Sequence, residues 1–262
     1  MRRTPQLLLA SFALAAIGCA SPEPEGTALA WHDSIMTALG GRKAWEETRY
    51  LQFRWNVIRD GRVVSERMHY WDRWDGRYRL ETTFQTGTGP QHGGGQKVVV
   101  YFNVNSQQGQ AFIGGIPFGG ALGDSLVKRA HAWFINDSFW LLMPYKWRDP
   151  GVNPEYLGHE TNEHGDWEVV HLSFDDVGLT PGDQYWVYID ADVPHLVRMW
   201  QYHLQGRENK GPFIRWQNWQ RFGGILLATE RESVDGSLKI EFTDIKAERT
   251  TDPSVFTPPK TN

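Results

Sequence analysis

Most of the chain alternates between apolar and polar positions with a period of two, which is typical of half-buried β-strands. In the first clear segment, Leu51, Phe53, Trp55 and Val57 alternate with polar side chains. The Asp60–Gly61 pair that follows is a strong signal for a two-residue hairpin turn. Similar segments, separated by turn-forming residues, recur to the end of the chain. The pattern therefore predicts about ten or eleven antiparallel strands.

Two segments with a helical period interrupt this pattern. Residues 29–41 place Ile35, Met36 and Leu39 on one face and end in two glycines, a common stop signal. The "RKAWEE" segment directly after it is expected to add a further turn.

The second helical segment is "ALGDSLVKRAHAWFIND", in which Leu126, Ala130 and Trp133 share a face. We expect Asp124 or Ser125 to cap it, because their side chains can accept a hydrogen bond from the first backbone N–H groups. The chain thus predicts one helix in front of the sheet and one in its middle.

An aromatic stretch follows the second helix, "FWLLMPYKWRDPGVNPEYLG", residues 139–158. Its three prolines disfavour both a helix and a central strand. Its apolar content is nevertheless that of a core. We therefore interpret it as an irregular segment whose rings pack against the open side of the sheet.

The later strands are apolar on both faces. In "QYWVYI", Tyr185, Val187 and Ile189 point to one side of the strand, and Trp186 and Tyr188 point to the other. A sheet with one side in water shows polar residues on that side. Both sides of this part of the sheet are therefore expected to be covered.

The N-terminus has the features of an export signal. Arg2 and Arg3 precede an apolar run and then small residues that end at Cys19. This order predicts a signal peptide over residues 1–18, too short to span a membrane as a helix. We expect Cys19 to be lipidated, as in bacterial lipoproteins, with residues 19–28 as a short tether. The alternative is ordinary signal cleavage near an incidental cysteine.

Charge and composition narrow the function classes. The formal net charge is −4, and removal of Arg2 and Arg3 with the signal peptide changes it to −6. A mildly acidic chain gives no support for nucleic-acid binding. Its 13 Trp, 13 Phe and 9 Tyr residues make it unusually aromatic. No cofactor is indicated.

The arrangement resembles the LolA/LolB-like fold of outer-membrane lipoprotein-sorting proteins. The helix "AWHDSIMTALGG", the strand "LQFRWNV", the helical interruption and the terminal "FTDIKAERTTDPSVFTPP" carry this resemblance. The stretches "FWLLMPYKWRDPGVNPEYLG", "DDVGLTPGDQYWVYID" and "RWQNWQRFGGILLATE" also resemble an exported bacterial family of unknown function. The resemblance implies a mainly β chain with a few helices (α+β), an incomplete antiparallel β-barrel with a helical lid around an apolar cavity. It covers residues 29–258 as a single domain.

We expect the aromatic stretch and the later strands to line that cavity. The candidate residues share large apolar side chains and are Trp140, Leu141, Met143, Tyr145, Trp147, Trp186, Trp200 and Trp216. Flexible Met and Leu beside rigid rings suit an adaptable apolar site. The alternative is that these side chains fill the barrel as core.

The favoured function is an exported carrier for an acyl chain, a lipid or a lipoprotein. The lipid anchor would hold it at the outer membrane facing the periplasm, with an envelope protein as a further partner. One alternative is a Trp-rich carbohydrate-active hydrolase, and another is a structural component of an envelope complex without a ligand.

The residues indicate neither a catalytic group nor a metal site. The Ser125–Lys128 spacing lacks the partner motifs of a serine nucleophile, and "HETNEH" lacks the spacing of a zinc protease.

Overall fold

The computed structural model describes residues 26–84 and 95–260. Within them, one antiparallel sheet contains thirteen strands. The strands are β1 Tyr50–Arg59, β2 Arg62–Asp72, β3 Arg77–Phe84, β4 Gln96–Asn103, β5 Gly109–Ile113, β6 Ile116–Phe118, β7 Val152–Asn162, β8 Gly165–Phe174, β9 Gln184–Asp190, β10 Val197–His203, β11 Ile214–Phe222, β12 Ile225–Ser233 and β13 Lys239–Glu248. The predicted signal peptide, Cys19 and most of the predicted tether lie outside the described residues.

Three α-helices accompany the sheet over the described ranges: α1 Ala28–Ala38, α2 Arg42–Glu47 and α3 Gly120–Leu142. Short 3-10 turns follow at Met143–Tyr145 and Pro253–Phe256. Both predicted helices are confirmed, and "RKAWEE" forms α2. Among the described residues, no helix combines the length and the apolar character needed to cross a membrane.

The strands follow one another in space in the order β6-β5-β4-β3-β2-β1-β13-β12-β11-β10-β9-β8-β7. Strand β1 is the sixth strand in this order and pairs with β2 on one side and with β13 on the other. Strands β6 and β7 do not pair with each other, so the sheet is not closed. The fold class predicted from the sequence, a mainly β open barrel with a helical lid, is confirmed.

Hairpin turns form where the sequence indicated them. Asp60 and Gly61 both adopt positive φ angles, 49° and 70°, between β1 and β2. That conformation matches the right-handed twist of the flanking strands, and Asp–Gly adopts it readily.

The core lies on the inner face of the sheet, the face that packs against α1 and α3. One cluster joins α1 and the end of α3 to β1 and to strands β8–β13. A second, smaller cluster joins the first half of α3 to strands β3–β5. Helix α3 therefore contacts both halves of the open barrel.

The sheet has two strands more than the sequence predicted, and they are its two edges. Strand β6 has only three residues, and β7 contains Pro154 and alternates only between half-buried and exposed positions, with none fully buried. Each edge strand carries a proline, Pro117 or Pro154, which cannot donate a ladder hydrogen bond. Prolines on edge strands also discourage pairing with another chain.

Helix α3 differs from the prediction at both ends. It begins at Gly120 with Gly119 as N-cap and no side-chain cap, so Asp124 and Ser125 do not cap it. It continues through Leu142, so the first four residues of the aromatic stretch are helical and not irregular. The prolines lie beyond that point: Pro144 is in the 3-10 turn, and Pro154 is in β7. The helix ends later than expected because the first proline of the aromatic stretch is Pro144.

Candidate functional site

A groove opens where the last turns of α3 pass over strands β8 and β9. Its volume is about 300 Å³. The turn at residues 146–152 and the loop at residues 177–183 complete its walls. The lining side chains come from three parts of the chain and are Phe134, Ile135, Asn136, Ser138, Phe139, Trp140, Lys146, Asp149, Pro150, Val152, Phe174, Val177, Leu179, Thr180, Asp183 and Tyr185.

Aromatic rings form the floor of this groove. The Phe139 ring centroid lies 5.1 Å from that of Tyr185 and 5.8 Å from that of Phe174. It also stacks on Trp200 at 5.9 Å. Such geometries are typical of favourable ring pairs. The groove floor is therefore continuous with the aromatic core beneath it.

The polar groups of the groove are few. The carboxylate of Asp183 is buried, with only 7% of the residue exposed. It accepts hydrogen bonds from Thr180 Oγ1 at 2.6 Å and from the Gln205 backbone N–H at 2.7 Å. Lys146 forms an ion pair with Asp149. Over the described ranges, no group of three or more His, Cys, Asp or Glu side chains is arranged to hold a metal ion.

Trp140 is the one residue of the predicted cavity set that lines the groove. Its ring lies 4.7 Å from Trp200, 6.0 Å from Trp55 and 6.1 Å from Tyr202, with edge-to-face geometry in each pair. The side chain is only partly buried. It thus connects the groove to the core.

Six other members of the predicted set lie in the main core. They are Leu141, Met143, Tyr145, Trp147, Trp200 and Trp216, each at most 4% exposed. The Tyr145 hydroxyl donates to the Leu226 carbonyl at 2.7 Å, and its ring stacks on Trp45 at 4.5 Å. The Trp147 Nε1–H donates to Met143 Sδ at 3.1 Å. These side chains fill the space under the lid, and the groove lies beside them.

Trp186 lies on the opposite face of the sheet from the groove. It belongs to a small outer cluster with Val169, Tyr188 and Met199. Lys210 places its ammonium 3.4 Å from the Trp186 ring centroid. Side chains from the segment before β11 thus cover the outer face, which explains why both faces of β9 are apolar. Trp186 and Trp200 cannot share one cavity, because the sheet separates them.

The sequence did not identify most of the groove residues. Phe134, Ser138 and Phe139 all lie on α3 and line the groove together. The sequence prediction ended this helix before residue 139, so it could not place the three side chains on one element. Asp183 and Leu179 lie in a loop that the chain pattern marks only as turn-like. Alternation would have placed Tyr185 on the inner face, where it is found.

A buried arginine holds the end of α3 against the sheet. The Trp140 carbonyl would normally accept the N–H of residue 144, but Pro144 has none. Arg231, fully buried on β12, donates to this carbonyl from Nε at 3.1 Å and from Nη2 at 2.8 Å. Its guanidinium also lies 3.4 Å from the ring centroid of Trp216. Trp140 is therefore positioned by its backbone as well as by its ring.

A second polar cluster holds α3 at Asp137, about one turn before its other anchor at Trp140. Arg67 donates to both carboxylate oxygens of Asp137, at 2.6 and 3.0 Å. His69 Nε2 lies 3.0 Å from Asp137 Oδ2, and its Nδ1 lies 2.7 Å from the Tyr78 hydroxyl. A neutral His69 satisfies both contacts if Nε2–H donates to Asp137 and the Tyr78 O–H donates to Nδ1.

Burial sets the protonation states of this cluster. It lowers the pKa of His69, against the opposing effect of Asp137. Burial alone would raise the pKa of Asp137, but hydrogen bonds from His69 and Arg67 outweigh it and hold that pKa below its usual range. The cluster therefore carries one ion pair, Arg67 with Asp137, and a neutral histidine. We interpret it as a structural anchor of α3, because His69 and Asp137 are fully buried.

Comparison with known proteins returns structural neighbours only. No protein-family model matches the chain, and no curated protein matches it. Similar solved structures include a DUF1329 family protein from Desulfovibrio piger, with TM-score 0.48, 11% identity and coverage of 90% of this chain and 98% of that one. They also include a LolA superfamily protein from Nitrosomonas europaea, with TM-score 0.43, 12% identity and coverage of 85% and 97%.

A third neighbour is a putative outer membrane lipoprotein-sorting protein domain from Vibrio parahaemolyticus, with TM-score 0.42, 8% identity and coverage of 82% and 93%. The structural neighbours are thus of the LolA-like kind that the sequence resembled. At these identities and TM-scores they transfer no ligand and no residue role to this chain.

Proposed function

We propose that the protein is an exported, lipid-anchored carrier of the cell envelope and that the groove beside Phe139 and Trp140 binds an acyl chain of its ligand. The observation that supports this is the groove itself. Its volume of about 300 Å³ lies at the lower end of the range for small-molecule sites. Its walls are mainly apolar and aromatic, with a few polar groups. One acyl chain is a ligand of suitable size and chemistry.

Burial of apolar area would supply the affinity. At about 25 cal/mol per Å², a chain that buries roughly 300 Å² contributes about 7 kcal/mol before ordering costs. Binding to the floor of the groove requires little rearrangement there, because ring contacts with Trp200 and Tyr185 already fix Phe139.

The first experiment is native mass spectrometry of the chain from Ala20 onward, purified from cells without detergent and then denatured to identify what leaves. Every helix and strand described lies after residue 27, so this chain keeps the whole described fold. We expect a co-purified lipid that carries at least one acyl chain. A mass equal to that of the bare chain, unchanged after incubation with lipid, would contradict the proposal.

A matched pair of variants locates the ligand. Leu179→Asp puts a charge on the groove wall at a side chain that is 54% exposed. Leu157→Asp makes the same change on β7 at a side chain that is 50% exposed and outside the lining. We expect the first variant to lose most of the bound lipid and the second to retain it. Equal retention would mean that the ligand binds elsewhere.

Lipidation at Cys19 is the second part of the proposal. Metabolic labelling with an alkyne fatty acid should mark the wild-type protein and leave Cys19→Ser unlabelled. Label in Cys19→Ser would contradict anchoring at this residue. Fractionation of inner and outer membranes then tests the proposed outer-membrane location.

A further inference from the structure

The charges in the groove differ in how they are compensated, and this difference bears on the ligand's polar end. The inference rests on the proposed function, because it concerns the same groove. Its lining contains three charged side chains: Lys146, Asp149 and Asp183. Lys146 and Asp149 form an ion pair with each other. Asp183 forms no ion pair in the part of the chain that the structure describes.

Asp183 is held in place but is not neutralised. The two groups that donate to its carboxylate, Thr180 Oγ1 and the Gln205 backbone N–H, are uncharged. Each carboxylate oxygen can accept more than one hydrogen bond. The residue is 93% buried and lies at the wall of a groove whose floor is aromatic. Burying a carboxylate without a cation is unfavourable, so a cationic ligand group beside it would be stabilised.

The rings nearby favour the same kind of group. Tyr185, Phe139 and Trp140 line the groove together with Asp183. Asp183 lies close enough to the Tyr185 hydroxyl to contribute to the raised pKa of that tyrosine, whose main cause is burial. Aromatic faces attract ammonium groups, most strongly where water is excluded. A carboxylate with several rings forms a recognisable site for an amine.

We infer that the groove selects amphiphiles whose polar end is a cationic amine and disfavours those that end in a free carboxylate. The ligand class is thus an alkyl or acyl chain attached to an ammonium group. An anionic end would face Asp183 without a free cation in the lining, since Lys146 is already paired. A neutral end would bind with intermediate affinity.

The test compares three probes with one chain length: dodecylamine, 1-dodecanol and dodecanoate, each below its aggregation concentration. The protein is the chain from Ala20 onward, and dissociation constants are measured by calorimetry at neutral pH. At this pH the amine is protonated, as a lysine side chain is. We expect dodecylamine to bind about tenfold more tightly than dodecanol, which corresponds to about 1.4 kcal/mol. Dodecanoate should bind more weakly than dodecanol.

Two groove variants test the origin of this preference. Asp183→Asn should remove most of the advantage of dodecylamine, so that dodecylamine and dodecanol bind with similar affinity. Lys146→Met frees the carboxylate of Asp149 and should increase the advantage. The matched control is Asp176→Asn, which removes the same charge in the neighbouring loop outside the lining. An equal effect of Asp176→Asn would mean that net charge, and not the groove, sets the preference, and it would overturn the inference.

The outcomes separate the two proposals. If dodecanol binds and dodecylamine binds no more tightly, the acyl-binding groove stands and the amine preference is wrong. If none of the three probes binds, both are wrong. If Asp183→Asn fails to fold, two results still test the amine preference. They are the order of affinities of the three probes for the wild type and the expected increase of the dodecylamine advantage in Lys146→Met.

Discussion

The two halves of helix α3 lie over the same sheet but pack against it differently. The first half presents the aliphatic side chains of Leu126, Val127 and Ala130 to a mixed set of aliphatic and aromatic side chains on β3–β5. In the second half, Phe139 and Trp140 meet the rings of Tyr185 and Trp200, and a groove of about 300 Å³ stays open beside them.

The shapes of the side chains that α3 itself presents explain this difference. Aliphatic side chains interdigitate closely, and a well-packed interior leaves few voids. Rings are rigid and prefer offset or edge-to-face contacts, so a cluster of them leaves gaps at its margin. The helix cannot tilt to close the gap, because polar contacts hold it at two points. The Arg67–Asp137 pair fixes the helix at residue 137, and Arg231 fixes the Trp140 carbonyl near its end.

The largest effect on stability is expected from removal of the Arg67–Asp137 pair, which anchors α3. Asp137→Ala leaves Arg67 as a buried cation without a counter-charge and removes a hydrogen-bond partner of His69. We expect the free energy of unfolding to fall by about 3–5 kcal/mol, measured by urea denaturation. The control is Asp33→Ala, which breaks exposed pairs with Arg42 and Arg148. It should change stability by less than about 1 kcal/mol. Similar losses in both variants would contradict the anchoring role.

A pH dependence of similar size should come from buried neutral histidines. Burial, with help from Arg148, lowers the pKa of His32 from 6.5 to about 4. As the pH falls below 6.5, the unfolded chain binds a proton that the folded protein does not bind. Stability is therefore fully present above pH 6.5 and is lost progressively down to about pH 4. At 1.36 kcal/mol per pKa unit, His32 contributes about 3 kcal/mol of this loss.

His69 acts in the same direction, because burial also lowers its pKa. Urea denaturation between pH 7 and pH 4 measures the combined slope. His32→Gln should flatten it, whereas His159→Gln, at a side chain that is 53% exposed, serves as the control. An unchanged slope in His32→Gln would show that His32 is protonated in the folded protein. Hydrogen exchange at low pH then shows which half of the barrel opens first.

A smaller effect is expected at the end of α3. Arg231→Met leaves the Trp140 carbonyl without a donor and removes the contact with the Trp216 ring. We expect a loss of about 1–3 kcal/mol in the free energy of unfolding, together with altered ligand binding in the groove beside Trp140.

Pro144→Ala sharpens this test because it restores an N–H at residue 144. In the Arg231→Met background it should recover part of the lost stability, and in the wild type it should change little. Additive effects in the double-mutant cycle would mean that Arg231 and Pro144 are not coupled through this carbonyl.

The local pattern of the chain predicted much of this architecture. Period-two alternation located eleven of the thirteen strands, because the order of apolar and polar side chains that indicates a strand lies within the strand's own sequence. The two edge strands were missed, since Pro117 and Pro154 are tolerated only where one side of the strand is free. That condition depends on neighbours and not on local sequence.

The surroundings of the candidate site residues depend on packing for a similar reason. Trp140 lies at the groove, whereas Trp186 is on the other face of the sheet. The remaining candidates are in the core: Leu141, Met143, Tyr145, Trp147, Trp200 and Trp216. Periodicity indicates to which side of its own element a residue points. It does not indicate what lies opposite, and a buried ring and a ring that lines a groove have the same sequence pattern.

The sequence by itself therefore determined the antiparallel mainly β class, the hairpin turns, the two helical interruptions and the aromatic character of the inner face, because each follows from the chemistry of neighbouring positions. Tertiary structure alone decided where α3 ends, which rings remain beside open space and that Asp183 is buried there without a cation. Those features arise where segments far apart in the chain meet, and only their packing determines whether the space between them is filled.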